Sequence, residues 1–370
     1  MNWLILILMC ALPFSSIFLH INNIWVTHGA FFQFGILCLF SYTLFNSPKY
    51  KVSNIPLTSL FLWLGFVTMI WWNMGIVATN QYNFLIFMPF FNFLCFILLY
   101  KGITEYLNDV DIDRILRWFS YVIGIMAVYG ILQWLNLDQF HKHFNTKGIP
   151  DAVVGTIGNP THFASWLAIC LPILYYVRTK FSNLSIVLLW IALLMTGSLS
   201  GIGVAILITL FYSSFFKVRR RFVISTICII GLLSLLVLWV EKFNWKLFLS
   251  TSGRFEFWKS IYPIFQQASI TGAGFGKILS LGNHWKHCHN EFYQLAIEGG
   301  LIGLGIAIWC IVEYFKKFIR LEKSKLSICL CSMFTAFLML SMANFTCHLY
   351  LTGILGLFAY AGLFCIKGAS

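Results

Sequence analysis

The chain has 370 residues, of which 59% are hydrophobic and 10% are charged, and its mean hydropathy is +0.83. A soluble domain could not bury that much apolar surface, so the composition excludes a soluble globular protein and indicates that the bilayer serves as solvent. The formal net charge of +13 would suggest nucleic acid in a soluble protein, but no basic stripe interleaves with aromatic residues. We therefore expect an all-α polytopic membrane protein that binds no nucleic acid.

Apolar runs long enough to cross the hydrocarbon core predict about twelve transmembrane helices. They fall at 2–19, 27–45, 56–78, 83–100, 116–135, 161–177, 184–198, 201–216, 222–240, 300–315, 326–343 and 350–366. The first run lacks a basic flank and an A-x-A cleavage site, so we interpret it as a span rather than a signal peptide. Alternate loops and the C-terminal tail carry 17 of the 25 Lys and Arg residues. The positive-inside rule makes that side cytoplasmic and puts both termini there.

Two longer loops, about 136–160 and 241–299, fall on the opposite side of the predicted membrane. All nine histidines lie on this outer side or at outer helix ends: His20, His28, His141, His143, His162, His284, His287, His289 and His348. Histidine chemistry would therefore take place outside the cytoplasm. We expect one membrane domain over residues 1–370, in which 241–299 is an insertion between spans nine and ten that folds over the outer face.

Eleven cysteines are scattered, mostly inside apolar runs, as is typical of small buried hydrophobic residues. Only Cys288 and Cys347 fall outside the predicted spans on the outer side. A disulfide between these two is the alternative.

The outer insertion begins with a helical pattern over residues 254–267. Its apolar positions predict an amphipathic helix along the membrane interface: Phe255, Trp258, Ile261, Tyr262 and Phe265. Arg254 at its start has two interpretations, which are a lipid-headgroup contact and a guanidinium clamp for a phosphate.

The stretch GAGFGK, residues 272–277, lacks the spacing and the following Ser or Thr of a nucleotide-binding loop. It predicts a tight turn in which glycine permits positive φ. Lys277 could still present its ammonium group to an anion.

A titratable cluster, WKHCHNE, covers residues 285–291. Its histidines and cysteine crowd together without the second ligand pair that zinc sites usually have, so we expect no metal. Asn290 can cap the helix that begins EFYQLAIE, with Glu291 in its first turn. His289 would then lie at a helix N-terminus, which attracts phosphate, and could act as a general base. Gly299 and Gly300 loosen the junction with the next span, and Gly300 and Gly303 could permit close contacts.

The stretch GTIGNPTHFASWLAICLP, residues 155–172, leads into the sixth span from the outer side. Asn159 and Pro160 predict a turn and a helix start. For Asn159 and His162, an interfacial position and a functional one remain open.

Three of these motifs, in the order in which they occur across residues 155–303, resemble the signature of the O-antigen ligase superfamily. His289-Asn290, then nine residues, Gly300, two residues and Gly303, resembles its histidine motif. SGRFEFWKSIYPIF followed by TGAGFGK is similar to its arginine helix and glycine turn, and GTIGNPTHFASWLAICLPI to the start of its middle span. That family includes lipopolysaccharide O-antigen ligases, O-antigen and capsule polymerases, and pilin-type O-oligosaccharyltransferases.

The resemblance implies a C-type glycosyltransferase fold with a periplasmic active site in a bacterial inner membrane. The donor would be a polyprenyl-diphosphate-linked glycan, and the acceptor a hydroxyl of a glycolipid such as lipid A-core, of a glycan or of a protein. It implies that His289 deprotonates the acceptor and that Arg254 holds the diphosphate, with no cofactor. The family usually has a further arginine where this chain has Leu199. Either another cation takes over the diphosphate, with Lys246, Lys277 and Lys286 as candidates, or this protein handles the donor differently.

The predicted function is a metal-independent, inverting membrane glycosyltransferase of the ligase type, with polymerase or pilin transferase activity as alternatives. The candidate substrate-binding residues are Asn290, Glu291, Lys277, Lys286, His287, Asn159 and His162. A lipid or glycan transporter is the alternative from another class. The spans carry few charged residues of the kind that ion-coupled carriers use, and this disfavours a transporter.

Overall fold

The computed structural model describes residues 2–15, 24–45, 55–73, 83–138, 153–215, 254–274, 277–280, 287–344 and 346–366. All regular structure in these ranges is helical. The α-helices are α1 (Asn2–Ala11), α2 (Ile24–Phe45), α3 (Ile55–Asn73), α4 (Asn83–Tyr106), α5 (Asp109–Trp134), α6 (Pro160–Val177), α7 (Lys180–Met195), α8 (Leu199–Phe215), α9 (Arg254–Gln267), α10 (Lys277–Ser280), α11 (Glu291–Arg320), α12 (Lys325–Ser341) and α13 (Tyr350–Cys365). The predicted span at 222–240 lies outside the described residues.

Three of these helices are long and apolar enough to cross a membrane, namely α5, α6 and α11. Shorter apolar helices accompany them. The fold is therefore that of a helical, multi-pass membrane protein, while the count of twelve spans stays a prediction. Helix α5 begins seven residues before the predicted 116, because Asn108 and Asp111 form a capping box ahead of the apolar run.

Helix α6 lies at the centre of the bundle. Its apolar residues are buried on all sides, against α5, α7, α8, α12 and α13. Two polar contacts between distant parts of the sequence fix the two ends of the bundle. The Asn2 amide donates to the Asp111 carboxylate at one end, and the Thr156 hydroxyl donates to the Pro13 carbonyl at the other. We call the second end, where α6, α11 and α13 begin, the site end.

Helix α11 is broken at Gly300, whose φ of 66° and ψ of −172° are not helical. Few residues other than glycine adopt this conformation. A short helix of residues 291–299 therefore precedes a longer one of 301–320, and the second alone is about 30 Å long. This confirms the prediction that Gly299 and Gly300 separate the EFYQLAIE helix from the following span.

Helix α9 confirms the predicted helix at 254–267, but its buried face differs from the expected one. Phe257 and Ile261 are buried, and Ile264 and Phe265 pack beside them. Tyr262, expected on the apolar face, is 49% exposed. The face is rotated because α9 packs against the 288–297 segment, so the positions at i, i+4, i+7 and i+8 from Phe257 point inward.

The thiols of Cys288 and Cys347 are not bridged, so the alternative of a disulfide between them is wrong. Cys288 is fully buried in the small core under α9, where it packs as a hydrophobic residue. The expectation that cysteines serve as buried apolar residues is confirmed for Cys170, Cys329 and Cys331 as well.

Candidate functional site

The short helix 291–299 begins as the sequence predicts. The Asn290 side chain accepts a hydrogen bond from the Tyr293 N–H at 3.0 Å and so caps the helix. His289, directly before the cap, has a φ of 52°. A left-handed conformation is uncommon for a residue other than glycine, and such residues concentrate at functional sites. The fold thus holds the His289 backbone in one unusual position at a helix N-terminus.

The glycine turn of residues 269–274 fits into the break at Gly300. Leu301 N–H donates to the Ser269 carbonyl at 2.8 Å, and Ala273 N–H donates to the Ile297 carbonyl at 2.8 Å. A Cβ on Gly300 would lie 2.3 Å from the Ile270 oxygen. Gly272 has a φ of 84°, and its Cβ would lie 2.3 Å from the Glu298 oxygen. Two glycines in close contact thus connect the insertion to the start of the span. The positive φ of Gly272 and Gly274 confirms the predicted tight turn, whereas the contact with Gly300 was not predicted.

Helix α3 contacts the same break from the other side. The Trp63 indole N–H donates to the Gly299 carbonyl at 2.8 Å, and a Cβ on Gly303 would lie 3.4 Å from the Trp63 ring. Gly303 thus faces the Trp63 ring at an ordinary van der Waals distance, so the predicted close approach at this glycine stays a prediction. The indole thus supplies a donor to a backbone carbonyl directly before the break.

Helix α9 is attached to the His289 segment through Trp258. The Trp258 indole N–H donates to the Cys288 carbonyl at 2.7 Å, and the Tyr293 hydroxyl donates to the Trp258 carbonyl at 3.1 Å. Arg254 is the first residue of α9 and precedes Trp258 by four positions, which is about 6 Å along a helix axis. The fold therefore brings the start of the arginine helix and the His289 segment together, although 34 residues separate Arg254 from His289 in the sequence.

The environment of Cys288 favours its neutral thiol. Burial, and then the charges of Glu298 and Glu291, raise the pKa of Cys288 well above that of a free cysteine. A thiol held in this way is a poor nucleophile and a poor metal ligand, because both roles need the thiolate. In the part of the chain that the structure describes, no group of three His, Cys, Asp or Glu residues could hold a metal ion.

Lys277 begins helix α10, next to the glycine turn, and its N–H donates to the Gly274 carbonyl at 3.2 Å. The Ile278 N–H faces the Glu298 carboxylate at 3.5 Å. His287 is half-buried, one residue before Cys288. His287, His289, Asn290 and Glu291 thus lie together at the start of the short helix 291–299, whereas the Lys277 segment lies against Glu298 near the end of that helix.

The GTIGNP motif forms a loop before α6 at the site end. The side chain of Gln133 in α5 holds this loop in place. The Gln133 side chain accepts from the Val154 and Gly155 N–H groups at 3.1 and 2.8 Å, and donates to the Gly155 carbonyl at 3.0 Å. Asn159 then caps α6 by accepting from the Thr161 N–H at 3.0 Å, as predicted. Gln133 is a residue that sequence reasoning missed, because a glutamine inside an apolar helix gives no signal of its partner.

Asn159 and His162 are 6% and 3% exposed. Protein therefore surrounds both side chains. The reason is that α6 occupies the centre of the bundle, so its first turn starts below the surface at the site end.

The segment 341–349 links the GTIGNP motif at the start of α6 to the histidine motif at the start of α11. No role for this segment was predicted from the sequence. The Asn344 side chain donates to the Ser165 hydroxyl of α6 at 3.2 Å. The Cys347 N–H donates to the Glu291 carboxylate of α11 at 2.6 Å. A polar run between two apolar helices, SMANFTCH, was the available signal. Glu291 is therefore engaged with backbone in this structure, whereas a substrate contact was expected.

For the remaining candidate residues, the structure describes either the backbone position alone or nothing. Arg254 is described as a helix position only, and Lys246, His284 and Lys286 lie outside the described residues. Leu199, which stands where the family usually has an arginine, begins α8 and is half-exposed.

Residues 184–308 match a family model described as O-antigen ligase. The matched range contains α8, α9, the glycine turn and the His289 helix, and it ends before the 341–349 segment. No curated protein matches the chain significantly. The match supports a membrane enzyme of the ligase or polymerase kind. The match covers 125 of the 370 residues, and together with the motifs within it supports membership of the O-antigen ligase superfamily.

Proposed function

We propose that the protein transfers a polyprenyl-diphosphate-linked oligosaccharide onto a hydroxyl acceptor at the outer face of a bacterial inner membrane. No nucleotide sugars are available outside the cytoplasm, so the donor must carry its own leaving group. A lipid diphosphate supplies one, and its tail is soluble among membrane helices. The apolar bundle and the family match both support this substrate class.

His289 is the proposed general base. Its imidazole takes the proton of the acceptor hydroxyl, and the hydroxyl oxygen then attacks the anomeric carbon of the donor sugar. The bond from that carbon to the diphosphate oxygen breaks, and the polyprenyl diphosphate leaves with the electron pair. A single displacement of this kind inverts the anomeric configuration.

Arg254 is the proposed ligand of the leaving diphosphate, since a planar guanidinium can bind two phosphate oxygens at once. Lys277 and Lys286 are proposed to supply further positive charge in place of the arginine that Leu199 replaces. The N-terminus of the short helix 291–299 adds its partial positive charge. Fixed cations of this kind stabilise negative charge as it develops in the transition state, so the proposal needs no metal.

The observation that carries the proposal is the contact between Trp258 and Cys288. It joins the helix that Arg254 begins to the segment that ends in His289. A base and a leaving-group cation must both lie near one anomeric carbon, and this contact supports such a placement of the two segments. Asn290 and His287 are proposed to line the surrounding substrate site, and the buried Asn159 and His162 to lie beneath it, while Glu291 has the backbone role described above.

The decisive experiment separates the His289 imidazole from the His289 backbone conformation. His289→Asn keeps a side chain that tolerates positive φ, and His289→Gly relaxes the backbone, but neither can act as a base. Each variant is expressed in a strain that lacks the gene, and the glycan on its acceptor is quantified per amount of folded protein. We expect both variants to lose at least about 100-fold in transfer rate, as is usual for the loss of a general base.

Near-normal transfer by both variants would show that His289 is not the base. A matched test uses two variants of α9. Arg254→Lys keeps the positive charge but loses the planar guanidinium that can bind two phosphate oxygens, and Lys259→Ala removes an exposed cation of the same helix. We expect a large loss for the first and little change for the second. The glycan that accumulates without the gene identifies the reaction, since long chains on the carrier indicate a ligase and single repeats a polymerase.

A further inference from the structure

We infer that Gln294 and Glu298 are positioning residues that set the distance between the His289 segment and the Lys277 segment. Their side chains connect the proposed base to a proposed cation of the leaving-group site. The inference rests on the proposed function, and it adds two residues to which the reaction assigned no part.

Gln294 fixes the residue next to His289. Its side chain is 3% exposed and lies on the inner face of the short helix 291–299. The side-chain oxygen accepts from the Cys288 N–H at 3.1 Å, and the Trp258 indole donates to the carbonyl of the same residue at 2.7 Å. Both backbone polar groups of Cys288 are therefore held by side chains. The peptide that leads into His289 consequently has little freedom to rotate.

Glu298 links this arrangement to α10. Its side chain is 2% exposed, and it lies one helical turn after Gln294. One carboxylate oxygen accepts from the Gln294 side-chain amide at 3.4 Å and from the Ile278 N–H at 3.5 Å. The Glu298 carbonyl also accepts from the Gly274 N–H at 3.0 Å. Glu298 therefore contacts the residues on both sides of the 275–277 stretch.

A chain of hydrogen bonds thus runs from Cys288 through Gln294 and Glu298 to Ile278. Its ends are the neighbours of His289 and of Lys277. Burying a carboxylate is costly, and an apolar residue would fill the same core position at lower cost. A buried polar pair that joins two site segments is better explained by the need to keep their spacing, because an error of about 1 Å in the position of reacting groups can lower the rate about 100-fold.

The test exchanges the two functional groups. Gln294→Glu sets two carboxylates against each other at hydrogen-bond distance, which pushes the segments apart or forces one group to bind a proton. Glu298→Gln keeps the acceptor oxygen. In the double variant, Gln294→Glu with Glu298→Gln, every N–H in this series of hydrogen bonds has an acceptor again. Gln294→Met, which removes both hydrogen bonds without adding charge, is measured in parallel in case Gln294→Glu fails to fold.

Each variant is purified in detergent and assayed with a synthetic polyprenyl-diphosphate-linked oligosaccharide. We expect Gln294→Glu and Gln294→Met to lower kcat 10- to 100-fold with the KM for the donor changed less than about threefold. Glu298→Gln should stay within about threefold of the wild type, and the double variant should recover most of the kcat that Gln294→Glu loses.

Two results would overturn the inference. One is an unchanged kcat in Gln294→Met, and the other is a double variant no more active than Gln294→Glu. His289→Asn in the same assay tests the proposed function separately, because it removes the base and leaves the chain of hydrogen bonds in place. If His289→Asn is inactive while the Gln294 variants are normal, the inference fails and the proposed function stands. If His289→Asn is active, the proposed function itself fails.

Discussion

The Trp258 indole nitrogen lies 2.7 Å from the Cys288 carbonyl oxygen, and this hydrogen bond joins residues 30 positions apart. The two rings of Trp258 and Tyr293 also contact each other, with centroids 5.9 Å apart. Through these contacts, α9 is attached to the residue that precedes His289. The relationship accounts for why an amphipathic helix in the insertion and a histidine after it can serve one site.

Removing that indole N–H should weaken both stability and transfer. Trp258→Phe keeps an aromatic ring but leaves the buried Cys288 carbonyl without this donor, at a cost of about 1–3 kcal/mol. We expect a lower unfolding temperature in detergent and a larger proportional loss of transfer. Trp118→Phe, at an exposed position of α5, is the control and should change neither. Equal behaviour of the two variants would argue against a role for the hydrogen bond.

The break at Gly300 should tolerate no side chain. Gly300→Ala brings a Cβ to 2.3 Å from the Ile270 oxygen and forces alanine into a conformation that costs about 1–3 kcal/mol before the clash is counted. We expect a strongly reduced yield of folded protein and no transfer. Gly305→Ala, in the same helix with nothing within 4 Å of its Cβ, should change stability by less than about 1 kcal/mol. Size-exclusion chromatography and thermal unfolding of both proteins provide the measurement.

Two variants of Glu291 should distinguish a structural role of its carboxylate from a role in substrate binding. Its oxygen accepts from the Cys347 N–H at 2.6 Å, and Glu291→Gln keeps that acceptor whereas Glu291→Ala removes it. If the role is to hold the 341–349 segment, Glu291→Gln should retain most of the transfer and Glu291→Ala should lose most of it and unfold at a lower temperature. Equal loss in both, at normal stability, would instead support the charge as a substrate contact. Glu322→Ala, at an exposed position after α11, serves as the control.

Cys288 should resist alkylation in the folded protein. Because burial raises its pKa, the folded chain disfavours the thiolate that reacts with maleimides, and raising the pH from 7 to 9 should add little labelling there. In denaturant, labelling of the same residue should be rapid and should increase over this pH range. The stability of the folded protein depends on pH for the same reason. The contribution of this thiol to stability is complete at pH values below the pKa that Cys288 has in the unfolded chain, and it decreases as the pH rises above that value. Peptide mapping by mass spectrometry measures both states, and rapid labelling of the folded protein would contradict the buried position.

Much of the site could be predicted because the local signals are strong. An asparagine before an acidic first turn predicted the cap at Asn290, and Asn159 with Pro160 predicted the start of α6, since capping depends on neighbouring residues. The apolar face of α9 was partly wrong at Tyr262, because the partner surface decides which side of an amphipathic helix is covered.

The sequence by itself determined a helical membrane protein, the starts of α6 and of the 291–299 helix, the turn at the glycines and the three motifs that resemble one family. These properties depend on composition and on residues a few positions apart. Only the tertiary structure decided that Trp258 holds Cys288, that Asn344 and Cys347 join the two motifs, and that Asn159 and His162 are buried. Such contacts join residues from 30 to 179 positions apart, and no local pattern encodes which distant N–H will satisfy a given carbonyl or carboxylate.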